Sequence, residues 1–191
     1  MLLKIVQAGE PVLRRLARDL TPEEIRGPAV RMLIELLRET MRDAPGVGLA
    51  APQIGESLRI AVIEDAAEVP DADRNERERQ PVPFHVIINP RLTVVEPGPA
   101  EFFEGCLSVE GWTAIVPRAR AVHVDALDHQ GNPVSIDASG WYARILQHEI
   151  DHLDGVLYLD RMLTRTLCTH DNHGRYFAGH PIPRIKQLLG A

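Results

Sequence analysis

The chain is poor in cysteine. Among 191 residues only Cys106 and Cys168 carry thiols, too few for a disulfide framework, and a reducing, cytoplasmic setting is the simplest expectation. Basic residues are not in excess: 21 Lys and Arg stand against 27 Asp and Glu, for a net charge of −6. No general electrostatic pull toward nucleic acid follows from such a balance. Apolar residues never run long enough to span a bilayer, so no membrane association is expected. The opening Met1-Leu2-Leu3-Lys4-Ile5-Val6 passes directly into patterned sequence. It lacks the parts of a signal peptide and the Arg/Ser-rich character of a transit peptide. Internal repeats are absent as well. What remains is ordinary for a globular protein, with 45% hydrophobic and 25% charged residues. The length suits one domain, residues 1–191, with a sizeable core.

Local patterns divide that domain. Residues 2–6 read as a short strand and residues 11–16 as a turn or short helix. Thr21-Pro22-Glu23-Glu24 has capping-box spacing, with proline at the first helical position. Val30, Leu33, Ile34, Leu37 and Met41 recur at helical spacing, which predicts a helix from about 28 to 43, closed by Pro45-Gly46. Residues 59–63 read as a strand. Residues 65–83 are charged and poor in apolar side chains, which predicts a solvated, mobile insertion. Residues 85–89 and 91–95 look like strands punctuated by proline, and residues 121–127 alternate as a strand that turns at 128–132 into the next. A helix over about 139–154 follows, with Gly155 as its C-terminal cap and residues 166–191 as a tail. Short strands with two substantial helices give an α+β class: short antiparallel sheets packed around a central helix.

That central helix holds the most informative stretch, Gln147-His148-Glu149-Ile150-Asp151-His152-Leu153. Residues four apart share one helix face. His148 and His152 can therefore reach a single metal ion, and Glu149 can handle the protons of a water. Two solvated histidines on a surface helix are the bland alternative. Trp141, Ile145, Leu146, Ile150 and Leu153 make the helix apolar and place it centrally instead. A catalytic site of this kind wants a third protein ligand and an open position. Downstream, Asp160, His170, Asp171, His173 and His180 have no diagnostic spacing. Upstream lies Glu104-Gly105-Cys106-Leu107-Ser108. A lone cysteine is often a small buried hydrophobe, yet beside a two-histidine site it is the best third ligand. A further segment, Gly46-Val47-Gly48-Leu49-Ala50-Ala51-Pro52-Gln53, is rich in small residues that allow a backbone to approach a ligand closely. It fits a tight packing loop equally well. Gln53 is its one side chain able to donate to a developing oxyanion.

Taken together, the three segments resemble the peptide deformylases. Residues 46–53 are similar to that family's first motif, 104–108 to its second and 147–153 to its third, in the same order and spacing. The surroundings of the third motif are most similar to the subtype shared by organelles and some bacteria. The resemblance spans about residues 2 to 165 and implies roles for particular positions. Cys106, His148 and His152 would bind the metal, natively Fe(II), with Zn, Ni or Co able to replace it. Glu149 would be general base and then general acid. Gln53 and the Leu107 N–H would hold the oxyanion, while Val47, Gly48 and Gly105 would line the groove for the substrate main chain. The implied substrate is the N-formylmethionyl end of a nascent peptide, met near the ribosome exit.

The chain also departs from the family pattern. Many bacterial members end in a long basic helix that docks on the ribosome. Residues 175–191 here hold Pro181 and Pro183 and only a short candidate segment from Arg184 to Leu189, which argues against helical docking. Glu104 and Arg118 are either an ion pair near Cys106 or two solvated charges. Asp151 belongs to another helix face, where it orients or caps rather than binds metal. The other histidines, His170 and His173 among them, are expected at the surface or in packing, and Cys168 is expected to be an inert thiol. Rival readings are a metallopeptidase, a non-catalytic metal-binding relative, and an amidase for a small specialised N-formyl substrate.

Overall fold

The structure is a computed structural model that describes residues 2–66 and 76–191. Its frame is one six-stranded antiparallel sheet in the order β1-β2-β3-β4-β5, with β6 paired to β4. The strands are β1 (Gly48–Ala50), β2 (Ile60–Asp65), β3 (Val82–Cys106), β4 (Val109–Leu127), β5 (Pro133–Ser139) and β6 (Cys168–Thr169). The helices are α1 (Pro22–Arg26), α2 (Pro28–Asp43), α3 (Gly140–Leu153), α4 (His170–Tyr176) and α5 (Ile182–Leu189). The α+β class holds. The strands are less uniformly short than their sequences suggest, because β3 runs for 25 residues and β4 for 19.

Period-two alternation in β2 and β3 explains how both long helices find a face. Ala61, Ile63 and Ile87 join the buried cluster that holds Ile145, Leu146, Ile150 and Leu153 of α3. Ile60, Val62, Val86 and Ile88 join the cluster that holds Ile34, Leu37 and Met41 of α2. Successive strand side chains point to opposite faces, so each helix covers one side of the same two strands. Burying these branched and aliphatic side chains supplies the main stabilisation, about 1.5–3 kcal/mol for each fully buried one.

Local signals behave as expected at several points. Thr21 Oγ1 accepts from the Glu24 N–H while the Glu24 carboxylate accepts from the Thr21 N–H, a complete capping box. Asp128 accepts from the Gln130 and Asn132 N–H groups and closes the β4–β5 turn. Residues 2–6 are not a strand, although Val6 N–H donates to the Gln53 carbonyl. The proposed insertion at 65–83 is tighter at its ends than its charge implied. Asp65 is the buried last residue of β2 and takes a bidentate bond from Arg79, while β3 already begins at Val82. The central part of that stretch, 67–75, lies outside the described residues. The C-terminal tail is helical rather than loose. Ile185 of α5 is buried with Phe103 and Ile115, and Lys186 pairs with Glu101.

Gly155, just past α3, has φ +73, and a Cβ there would meet the Arg14 carbonyl carbon at 2.8 Å and its oxygen at 2.9 Å. Gly55 has φ +91 but open space around it. Gly55→Ala should therefore cost about 1 kcal/mol of conformational strain, and Gly155→Ala clearly more, about 2 kcal/mol or above. Urea unfolding of the two variants measures the difference; equal costs would remove the close backbone approach as the reason for glycine.

Candidate active site

The site forms where the longest strands end against the central helix. Long pairing of β3 with β4 carries Glu104, Gly105 and Cys106 to a tight turn at Leu107-Ser108. Register then shifts, because Gly105 pairs with Thr113 while Cys106 pairs with Val109. Glu110, Gly111 and Trp112 are thereby left as a bulge of β4, without partners on β3. The N-terminal segment braces the turn: Gln7 Nε2 donates to the Leu107 carbonyl, Gln7 Oε1 accepts from Glu110 N–H, and Ala8 N–H donates to the Ser108 carbonyl. Nothing in the sequence pattern marks Gln7 for this work.

Helix α3 brings the histidines to that turn. Cys106 Sγ lies 3.2 Å from His152 Nε2. The donor atoms of Cys106, His148 and His152 all fall within 4.8 Å of one another. Bonds of about 2.0–2.3 Å in a tetrahedral site separate ligand atoms by roughly 3–4 Å, so this soft and borderline donor set fits one divalent transition-metal ion. His148 Nδ1 bonds Glu104 Oε2 at 3.1 Å, which leaves its Nε2 for the cluster. The ring of Tyr158 stacks on His148.

Charges around the cluster are arranged with care. Glu104 is buried and takes Arg118 Nε and Nη2 at 3.0 Å each, together with Arg144 Nη1. Burial alone would push this carboxyl up; Arg118 and His148 outweigh it and hold it well below the usual carboxylate range. Arg118 also donates to Asp151, and Arg161 chelates the same carboxylate at 2.7 Å. Asp151 is thus tied through Arg118 to Glu104 and anchors the helix, while it takes no place in the Cys106, His148 and His152 donor group. Burial would likewise lower His148, but the Cys106 thiol and Glu104 hold it well above its ordinary value. His152 is pushed well below its own by burial and by the positive groups nearby.

Glu149 is the exception in this network. It is buried, its Oε2 has no hydrogen-bond partner among the described residues, and burial raises its carboxyl to about 7. A Cβ on Gly48 would stand 2.2 Å from Glu149 Oε1, so only glycine leaves the carboxylate its place. Gln53 is buried and pinned: Oε1 accepts from the Ala50 N–H at 2.9 Å, and Nε2 reaches Ser108 Oγ at 3.3 Å and Cys106 Sγ at 3.6 Å.

These residues line a cleft of about 940 Å³ that takes in Val47, Gly48, Gln53, Gly105, Leu107 and Glu149, together with Cys106 and His148. A second cavity of about 1000 Å³ opens on the far face, between Arg59 and Arg161, and its lining holds no cysteine, histidine or glutamate. Volume therefore does not mark the site; the chemistry of the lining does. Every residue singled out from the motifs meets at this cleft except His152, which closes the cluster from beneath, 1% exposed.

A family model described as polypeptide deformylase matches residues 2–166. The chain belongs to the polypeptide deformylase family. Among relatives, it is 53% identical over 169 residues to peptide deformylase 3 of Streptomyces avermitilis, covering 88% of this chain and 75% of that one. It is 50% identical over 183 residues to peptide deformylase 1 of Streptomyces coelicolor, covering 95% and 83%. Among solved structures, the Met-Ala-Ser-bound class I type b peptide deformylase from Acinetobacter baumannii superposes with a TM-score of 0.77 at 30% identity, over 85% of this chain and 99% of that one.

Besides Gln7, two site residues escaped the sequence reading. Arg144 lies one helical turn before His148 and donates to Glu104 and to the Val116 and Ala100 carbonyls; a charge on an apolar helix was its only signal. His170, expected at the surface, lines the cleft.

The depressed Glu104 carboxyl links stability to pH. A carboxyl lowered on folding contributes stability above its unfolded value, near 4.3, and that contribution is lost as pH falls through its folded value. Glu104→Gln should cost about 3–5 kcal/mol at pH 7, since Arg118 and Arg144 lose their shared counter-charge. The gap between variant and parent in urea unfolding should narrow as the pH is taken well below 4. A gap independent of pH would show that Glu104 acts through packing instead.

Proposed function

We propose that this protein hydrolyses the N-formyl group of formylmethionyl nascent polypeptides, releasing formate and a free amine. It would do so as one catalytic domain of 191 residues working in the cytoplasm. The observation that carries the reading is Glu149: a buried carboxyl raised to about 7 beside a Cys/His/His donor set, in an open cleft. Removal of formyl groups from nascent polypeptides is the reaction of the family, and the soft donor set supports an ion in the cleft.

Cys106, His148 and His152 are read as the ligands of one divalent ion, Fe(II) in the cell, with Zn, Ni or Co as substitutes. Such an ion supplies Lewis acidity and makes water acidic enough to ionise near neutrality. The protein's own groups do the rest. Glu149, poised near the working pH, takes a proton from the attacking water and returns it to the leaving nitrogen as the C–N bond breaks. The Gln53 amide, fixed by Ala50 and Ser108, and the Leu107 N–H donate to the carbonyl oxygen as it gains charge. Each donor of this type is worth about 2.7–4 kcal/mol. Val47, Gly48 and Gly105 offer a groove bare enough for a peptide main chain to lie in. His148 is oriented by Glu104, a hydrogen bond that also raises its basicity as a ligand.

Release of formate from formyl-Met-Ala-Ser by anaerobically iron-loaded protein tests the reading. Glu149→Ala should retain one ion per chain and lose at least about 10²–10⁴ in kcat. Normal turnover in that variant would remove Glu149 as the base. Gly48→Ala should lower kcat with metal retained, because the methyl group displaces the carboxylate. An Fe(II)–thiolate centre is prone to oxidation, so the iron form should lose activity during long aerobic incubation while a nickel form keeps it. Undiminished activity of aerobic iron protein would speak against an Fe(II)–Cys106 bond.

A further inference from the structure

Residues 167–191 lie beyond the stretch matched by the family model, which ends at 166. They nonetheless fold back onto the cleft. Strand β6 pairs Thr169 with Trp112 and Cys168 with Thr113, so it attaches to β4 at the bulge left by the register shift. Thr169 Oγ1 then caps α4 by accepting from the Asn172 N–H. His170, the first residue of α4, is thereby delivered to the cleft wall, which Glu110 and Gly111 also line. Its Nε2 stands 3.4 Å from where a Cβ on Gly105 would be. One turn on, His173 packs edge-on against Phe103 at 4.4 Å, and Phe103 lines the same cleft. Buried Ile185 and the Lys186–Glu101 pair hold the tail in this position.

We infer that the C-terminal tail forms one wall of the substrate cleft and that His170 is a specificity-determining residue for the part of the peptide that follows the formylated methionine. This rests on the deformylase reading. A main chain laid along Gly105 passes within reach of the His170 imidazole, which offers a hydrogen bond and a flat contact surface. Formyl-methionine amide lacks the residues that would continue along Gly105 past this wall. His170 is exposed and takes no part in the catalytic cluster, so its effect belongs to KM and not to kcat.

The test uses the full-length, metal-loaded protein as wild type, His170→Ala and His170→Gln, with kcat and KM measured on formyl-Met-Ala-Ser and on formyl-methionine amide. His170→Ala should raise KM for the tripeptide about three- to tenfold, the loss of one hydrogen bond and its contact, at unchanged kcat. KM for the amide should stay within about twofold, and His170→Gln should recover most of the tripeptide affinity, since its amide places a donor near the Nε2 position. A rise in KM of equal size on both substrates, a fall in kcat alone, or no change on either would overturn the inference while leaving the enzyme a deformylase. Failure of the wild type to release formate from either substrate would overturn the functional reading itself and this inference with it.

Discussion

The buried carboxylate of Glu104 is the contact on which the geometry of the cleft depends. It is shared by Arg118 of β4, by Arg144 of α3 and by His148, so one anion ties the end of β3 to its neighbouring strand and to the central helix. Removing charges from water costs several kcal/mol per ion, and only good geometry with further hydrogen bonds offsets it. The structure meets that condition outward in steps, since Arg118 also binds Asp151 and Asp151 also binds Arg161. Arg144, His148 and Asp151, spaced i, i+4 and i+7, are consequently held along one face of the same helix. A network of this kind contributes little net stability against an apolar alternative, but it leaves the helix one rotation and one depth. The histidines inherit both.

The same network explains how two buried glutamates can differ. Glu104 has Arg118, Arg144 and His148 around it and stays ionised. Glu149 makes no ion pair among the described residues, and burial pushes its carboxyl to about 7, only partly offset by His148 and Arg118. Environments that drive two carboxyls apart assign one to structure and one to proton transfer. Gly48 completes the division by keeping the space around Glu149 free of side chain. The first motif therefore makes room for the acid of the third, a dependence between segments about a hundred residues apart that neither shows alone.

Much of this was legible in the chain. Helical spacing gave α2 and α3 nearly to the residue, the Thr21 capping box is complete, and the meeting of Cys106 with the histidines followed from ligand counting and family resemblance. The strands were harder. Pro90, Pro97 and Pro99 look like breaks, yet β3 continues through all three. It does so by slipping register between Ile88 and Arg91, between Val94 and Glu96, and between Glu96 and Pro99. A bulge removes the ladder bond that proline cannot make, and the cost is local where the sequence suggested an end. Arg144 was hidden because an arginine on an apolar helix reads as surface, and only the position of Glu104 on another element gives it a reason to be inside. His170 was hidden because no spacing relates the tail to the hairpin it pairs with.

Sulfur as a ligand raises a last difficulty that the fold answers locally. A thiolate gives more charge to an ion than imidazole does, and that softens the Lewis acidity on which the attack on a formyl carbonyl relies. Cys106 Sγ, however, accepts from the Ser108 N–H at 3.4 Å and from Gln53 Nε2 at 3.6 Å. Donors to a ligating sulfur withdraw part of its charge and are one of the means by which a protein tunes a metal centre. Both donors come from the turn and loop that, on the proposed reading, would also face the substrate oxygen. The Gln53 amide thus stands beside the sulfur, held by Ser108 Oγ at 3.3 Å. On the proposed reading it would turn one of its two N–H donors from these partners to the substrate oxygen as charge develops there, so that one side chain would restrain the sulfur's donation and answer the charge that the reaction creates.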